Sequence, residues 1–259
     1  MTAVVLDCES FESAVESSAA ILGLGAGDLV ARLRAFECEQ IPPAEGQVHP
    51  YENLLPEYAI GIAHHDLPTP LTVHWFHASR VRRGTTFDEG ILPVSAILDR
   101  IWTFLGDLAR EWSTQEEWNR FRREMRGQGA EQYRMKVGCG HDEGPFAFLV
   151  REIIFCWQEM GNHDYLSIPE IVEDICLSYE TRLGHALRER FVAATRPSIV
   201  KFRSRDPRPD ALKAALMYIH RKARKEDLCI SCNTCYTGEG VPIGRNDILK
   251  VEWPEDFEA

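Results

Sequence analysis

Several large protein classes are excluded by what this sequence lacks. No apolar run approaches the roughly 20 residues that cross a bilayer, and the first 20 residues carry acids where a secretory leader has a basic start and an apolar middle. There is no Walker-type or dinucleotide Gly-rich loop, no Gly-x-Ser-x-Gly elbow and no His-Glu-x-x-His helix, which argues against ATP use, Rossmann-type redox chemistry and elbow hydrolases. Gly23-x-Gly25-x-Gly27 lies between two helical patterns, not after a strand, and carries no phosphate reading. Internal repeats and low-complexity tracts are also missing. The eight cysteines are too scattered for a short secreted disulfide framework, so reduced thiols and a soluble, cytoplasmic protein are expected.

Basic residues are scarce at the front. Residues 1–70 hold eleven Asp or Glu against only Arg32 and Arg34, a balance of −9 out of a total of −11. Two stretches farther on reverse the sign, Arg120–Lys136 and Arg196–Lys225. A basic face on an acidic protein fits a phosphate-bearing partner such as nucleic acid, and solvated helix faces fit equally. The acidic front reads as a lid, a segment for a protein partner, or an extra layer.

With 259 residues, 44% hydrophobic content and six Trp, the chain can bury a sizeable core. Ser10 and Asp28 are positioned to cap two short helices, Ser10–Leu22 and Asp28–Glu39. Six prolines between Ile41 and Pro70 point to an irregular linker. Helices are expected over Ser95–Trp112, from Thr114 to about Met125, from Ser167 (as N-cap) to about Ala194, and over Pro209–Lys225. Strands are expected from Leu71, within Gly144–Trp157, over Pro197–Arg203, over Leu228–Tyr236 and over Asp247–Trp253. The fold class is therefore α+β, a mixed central sheet with packed helices. Residues 1–70 are read as an acidic, mainly helical extension and linker, and 71–259 as the main α+β domain.

The chain is most informative at Leu71–Pro93 (LTVHWFHASRVRRGTTFDEGILP). Alternation places Val73, Trp75, His77 and Ser79 on one face of a strand, so His77 is expected against a packed wall. The stretch His77-Ala78-Ser79-Arg80, followed by Gly90-Ile91-Leu92-Pro93, resembles the first motif of the ADP-ribosyltransferase superfamily, in the branch of poly(ADP-ribose) polymerases, RNA 2'-phosphotransferases and DNA-modifying toxins. About 25 residues carry the resemblance.

It implies an ADP-ribosyltransferase-like fold and NAD as the bound nucleotide. His77 would bond the nicotinamide ribose, the Ala78 backbone would hold the carboxamide, and Ser79 would support that grip. Arg80, Arg82 and Arg83 would reach a pyrophosphate or a nucleic-acid backbone, or serve as ordinary loop charges, and either Tyr133 or Tyr165, preferentially Tyr165, would stack on the nicotinamide. Gly90 belongs to the same motif, or simply supplies the freedom of a tight turn. Such a protein would modify nucleic acid or protein, as a toxin or phage-defence effector does. Ile248-Leu249-Lys250-Val251 matches the family's late ending, whereas the strand expected before it has no Glu, which leaves Glu239 in a turn as the candidate. His77 reads equally as a satisfied strand histidine. An inactive interaction or regulatory protein of the same fold, or a Cys-cluster metal-binding regulator, is the alternative.

Two other groups compete. Glu170, Glu173 and Asp174 resemble a carboxylate cluster but sit where helix N-termini favour acids, and Asn162-His163-Asp164-Tyr165 precedes them as a polar loop. Cys229-x-x-Cys232-x-x-Cys235 has the spacing of three cluster ligands, and Cys139 or His141 could complete a zinc site. On a strand, however, side chains three apart point to opposite faces, so no metal is assigned.

Overall fold

The computed structural model describes residues 4–37, 50–61, 63, 67, 69–125, 131–138, 144–206 and 210–254. Strand β1 (Val5–Leu6) leads into helices α1 (Phe11–Leu22), α2 (Ala26–Ala35) and α3 (Pro50–Gly61). Strand β2 (Leu71–Arg82) precedes α4 (Val94–Ala109), α5 (Gln115–Met125) and α6 (Glu131–Gly138). Then come β3 (Phe146–Phe148), α7 (Trp157–Met160), α8 (Glu170–Leu183) and α9 (Leu187–Ala194). Strand β4 (Thr195–Asp206), helix α10 (Asp210–Arg224) and strands β5 (Cys235–Thr237) and β6 (Ile248–Glu252) complete the order. The expected α+β class with a mixed sheet is what the chain forms. The strand order is β5-β3-β2-β4-β6, with β1 joining β2 off this path. The β1–β2 pair is parallel (Val5 opposite Thr72), and the β2–β3 pair is antiparallel (Phe76 opposite Phe148).

The chain divides into two compact units, each assembled from three segments. The first unit takes Met1–Phe76, Ala147–Asn162 and Lys201–Tyr236. Its centre is α10, buried on nearly every side (Ala211, Leu212, Leu216, Tyr218, Ile219, His220) and packed against α1, α2 and α3. Its apolar stripe is covered by these three neighbours, while Asp210 and Arg224 stay exposed at its ends. The second unit takes His77–Phe146, His163–Val200 and Thr237–Ala259. Its core is aromatic: Trp102 packs against Trp118, Phe121 and Tyr133, and Tyr179 against Trp118 and Phe121. Polar handles are satisfied inside it, as when Trp102 Nε1 donates to Tyr133 Oη at 2.9 Å.

Strand β2 runs through both units, and its burial changes phase where it passes from one to the other. Leu71, Val73 and Trp75 are buried, then Phe76, Ala78 and Arg80, so the covered face switches at Trp75–Phe76. His77 is consequently half-buried, not set against the wall that covers Trp75.

Several expectations are corrected. The described part of the Ile41–Pro70 linker contains helix α3; Pro50 sits at its start, where no amide bond is lost, and Leu55 and Ala59 are fully buried. Residues 41–49, 62, 64–66 and 68 of that linker lie outside the described residues, as do Cys38, Cys139 and His141. β1, α1, α2 and α3 belong to the first unit.

Gly144–Trp157 yields only β3 before a tight turn over Arg151–Phe155. Past β3 the partners change: Asn233 Oδ1 accepts from the amides of Leu149 and Val150, both at 3.1 Å, and Arg151 N donates to Cys8 O in an isolated parallel bridge between Cys8 and Val150. Ser167 is not an N-cap: α8 begins one residue after Pro169, and the long helical stripe breaks at Gly184, whose φ is 75°. Leu228–Tyr236 is not a strand. It forms a 3-10 turn at Ile230–Cys232 and the short β5. Among the described residues no single helix is long and apolar enough to cross a membrane.

Candidate functional site

All the residues read from the sequence as a site lie in the second unit. His77 projects from β2, and its Nδ1 lies 2.7 Å from the carbonyl oxygen of Phe146. A carbonyl only accepts, so Nδ1 carries the proton and Nε2 is left as an acceptor. Desolvation lowers the pKa of His77 below its ordinary value, against a smaller opposing pull from the Phe146 carbonyl, and the ring is neutral at physiological pH.

The short segment Gly144-Pro145-Phe146 also anchors the turn that bears Glu239. Gly238 N donates to Pro145 O at 3.0 Å, and Gly240 N donates to Gly144 O at 2.9 Å. The fit is tight: a Cβ on Gly238 would lie 2.5 Å from Pro145 Cδ. Glu239 is exposed and has a φ of 49°, so it sits at the turn's tip and not on a strand. His77 and Glu239, far apart in sequence, are thus tied to one three-residue platform.

The other motif residues take structural positions. Ala78 is buried, and Ser79 gives its carbonyl to Ser198 Oγ at 3.2 Å. Arg80 is 8% exposed and turned inward; its Nε donates to Thr195 Oγ1 (2.9 Å), Nη1 to Leu166 O (3.1 Å) and Nη2 to Val192 O (3.0 Å). A guanidinium spent on three interior acceptors cross-links β2, α9 and the loop before α8, which is not the posture of a pyrophosphate ligand. Gly90 has a φ of 84°, and a Cβ there would fall 2.0 Å from Ile243 O. The position is needed for the paired backbones of Ile91 and Ile243, bonded to each other twice at 2.9 Å.

Tyr165 donates to Glu170 Oε1 at 2.7 Å and meets the His163 ring edge-on at 4.9 Å. Tyr133 is 2% exposed within the aromatic core, closed off from any ligand. The carboxylates of α8 are neutralised locally: Lys136 Nζ reaches Glu170 at 3.2 Å and Asp174 at 2.8 Å, while Arg188 meets Glu173 at 3.2 Å. These pairs join the helix-terminal electrostatics expected for that cluster.

Part of each basic stretch is paired. In the first, Arg122 bonds Asp99 and Lys136 bonds the α8 acids, with residues 126–130 outside the described set. In the second, Lys222 meets Glu152 at 2.8 Å, Arg224 meets Glu226 at 2.6 Å, and Arg196 stacks over the Trp253 ring at 3.4 Å.

Sequence reasoning missed a second polar centre, in the first unit. Lys201, on β4, donates to Asp7 Oδ2 and Glu9 Oε2, both at 2.6 Å, and Asp7 Oδ2 also lies 3.0 Å from His74 Nδ1. The Lys201 side chain is 9% exposed. Burial pushes the Asp7 carboxyl up, but bonds from His74 and Lys201 outweigh it and hold the pKa at about 2. The signal was present in Ile199-Val200-Lys201-Phe202, where one lysine interrupts an apolar strand. A lysine there must bring its own counter-ions. Chemically the arrangement is a clamp joining the end of β1 to β2 and β4, its ammonium already committed to two carboxylates. Among the described residues no group of three or more His, Cys, Asp or Glu is arranged to hold a metal.

The fold is that of an α+β protein with a mixed sheet. No protein-family model matches the chain, and no curated protein or solved structure matches it either.

Proposed function

We propose that the chain is an ADP-ribosyltransferase-like enzyme that uses NAD, with His77 and Glu239 as its working pair. The observation that carries this reading is their common anchorage on Gly144-Pro145-Phe146, through the His77 ring and the amides flanking Glu239. NAD would supply the ADP-ribosyl group, with nicotinamide as the leaving group. The neutral His77 ring, with Nδ1–H fixed on a carbonyl, offers Nε2 to accept from a ribose hydroxyl. A carboxylate at Glu239 is the group suited to stabilise positive charge or to orient an acceptor. Ala78 leaves room beside the histidine, and Tyr165 is the aromatic of the loop near Glu170. Arg80 does not fit the pyrophosphate, so that part of the nucleotide would be held by other groups. Acceptor, cytoplasmic location and a toxin or phage-defence role belong to the same proposal, with nucleic acid and protein as the acceptors to be compared.

A second reading, nucleotide binding without transfer, is favoured by the exposed left-handed position of Glu239. Labelled NAD offered with RNA, DNA and protein acceptors separates the two. Label transfer that is lost in His77→Ala and Glu239→Gln supports the enzyme. Saturable NAD binding that needs His77, with no transfer, supports the second reading. Absence of both overturns the proposal.

A further inference from the structure

The cysteine triplet does not lie on the single strand expected of it. Cys229 begins a 3-10 turn, in which side chains three residues apart eclipse each other, and the Cys229 and Cys232 sulfurs accordingly lie 3.6 Å apart. The turn is closed by Cys232 N donating to Cys229 O at 2.9 Å. A turn so bonded holds its end Cα atoms within about 7 Å, close to the range a disulfide spans. We propose that Cys229 and Cys232 form a thiol–disulfide exchange site that accepts low-molecular-weight disulfides.

The two thiols differ in the way such a reaction needs. Cys232 is 0% exposed, whereas Cys229 is half-buried at the mouth of the turn and followed by Ile230, 75% exposed. An incoming disulfide meets Cys229. The Cys229 thiolate attacks one sulfur of that disulfide, forming a mixed disulfide and releasing the other sulfur as a thiolate, which takes up a proton. Cys232 then attacks the Cys229 sulfur, its proton passing to the departing sulfur, and the second thiol is expelled. The two protein thiols lose two electrons and the external disulfide gains them.

The bond with its neighbour's thiol and burial push the Cys232 thiol well up, and the Cys229 amide, donating to its sulfur at 3.4 Å, holds that sulfur beside Cys229 for the second step. The turn is also held in place. The following Asn233 fixes it to the backbone of Leu149 and Val150, and α10 packs on its other side. Cys235 belongs to β5, is exposed, and receives Asn233 Nδ2 at 3.7 Å, which makes it the internal control.

The test treats the full-length reduced chain with glutathione disulfide, alkylates the remaining thiols and maps the products by mass spectrometry. The Cys229–Cys232 cross-link is expected to rise at least about tenfold over the untreated control and to vanish with dithiothreitol. Cys232→Ser is expected to stop at a mixed disulfide on Cys229, and Cys229→Ser to give no cross-link to Cys232. Because Cys232 is enclosed, its variant is read only if its far-UV circular dichroism matches wild type; the wild-type map decides by itself. Two alkylated cysteines in the treated wild type, or a cross-link joining Cys232 to Cys235, would overturn the proposal.

Discussion

Strand β2 carries two histidines three residues apart, one in each unit, and their surroundings could hardly differ more. His74 meets a side-chain carboxylate, Asp7, which is itself held by the buried ammonium of Lys201. His77 meets a backbone carbonyl, that of Phe146. In the first case every partner is a charge and each needs the others, because an ion taken out of water is stable only when compensated. In the second the partner is neutral, the ring stays uncharged, and one nitrogen is left over for a ligand. The same residue type on the same strand thus serves as part of a clamp in one unit and as a candidate ligand group in the other. What decides is the chemistry of the acceptor.

The sharpest way to break this contrast is at Lys201. Lys201→Ala leaves Asp7 and Glu9 facing each other half-buried and is expected to cost about 3–5 kcal/mol of stability, read as a lower denaturant midpoint. His77→Ala, at a half-buried site, is expected to cost under about 1 kcal/mol. Equal losses would mean that His77 is as structural as the clamp. Next in size is Gly90→Ala. Its φ of 84° and the Ile243 carbonyl 2.0 Å from the added Cβ imply a loss of about 1–3 kcal/mol. An unchanged midpoint would show that the Ile91–Ile243 pairing yields easily.

A comparable effect is expected in acid. Asp7's folded pKa lies below its ordinary 3.8, so its contribution is present above about pH 4 and disappears as pH falls towards 2. On the order of 2 kcal/mol should be lost over that window in wild type. Asp7→Asn should start lower and vary less there. A variant that kept the wild-type acid slope would remove Asp7 as the source.

Elements marked by local chemistry were readable from the sequence. Ser10 caps α1, with its Oγ accepting from Ser13 N at 3.2 Å. Thr114 and Glu117 exchange bonds at the start of α5 as their spacing predicts, and the stripes of α4 and α10 face their cores. Features that depend on distant partners were not readable. The change of partners after β3 is set by Asn233, the inward turn of Arg80 by Thr195, Leu166 and Val192, and the charged clamp by residues 7, 9, 74 and 201. In the candidate site the sequence identified His77 and Glu239 as residues but not the platform that ties them together, since residues 144–146 carry no chemical signature of their own. For the cysteines the spacing was correct and the local structure was not, because a spacing of three fits a tight turn as well as a strand.

By itself, then, the sequence determined the class, α+β with an acidic front, and most helix positions, because capping and periodicity act within a few residues. The tertiary structure alone decided that two units are each woven from three stretches of chain, that β2 changes its buried face at Trp75–Phe76, and which histidine meets a charge. Those outcomes rest on groups brought together across more than a hundred residues, and no local preference encodes which of many possible partners a buried polar atom will find.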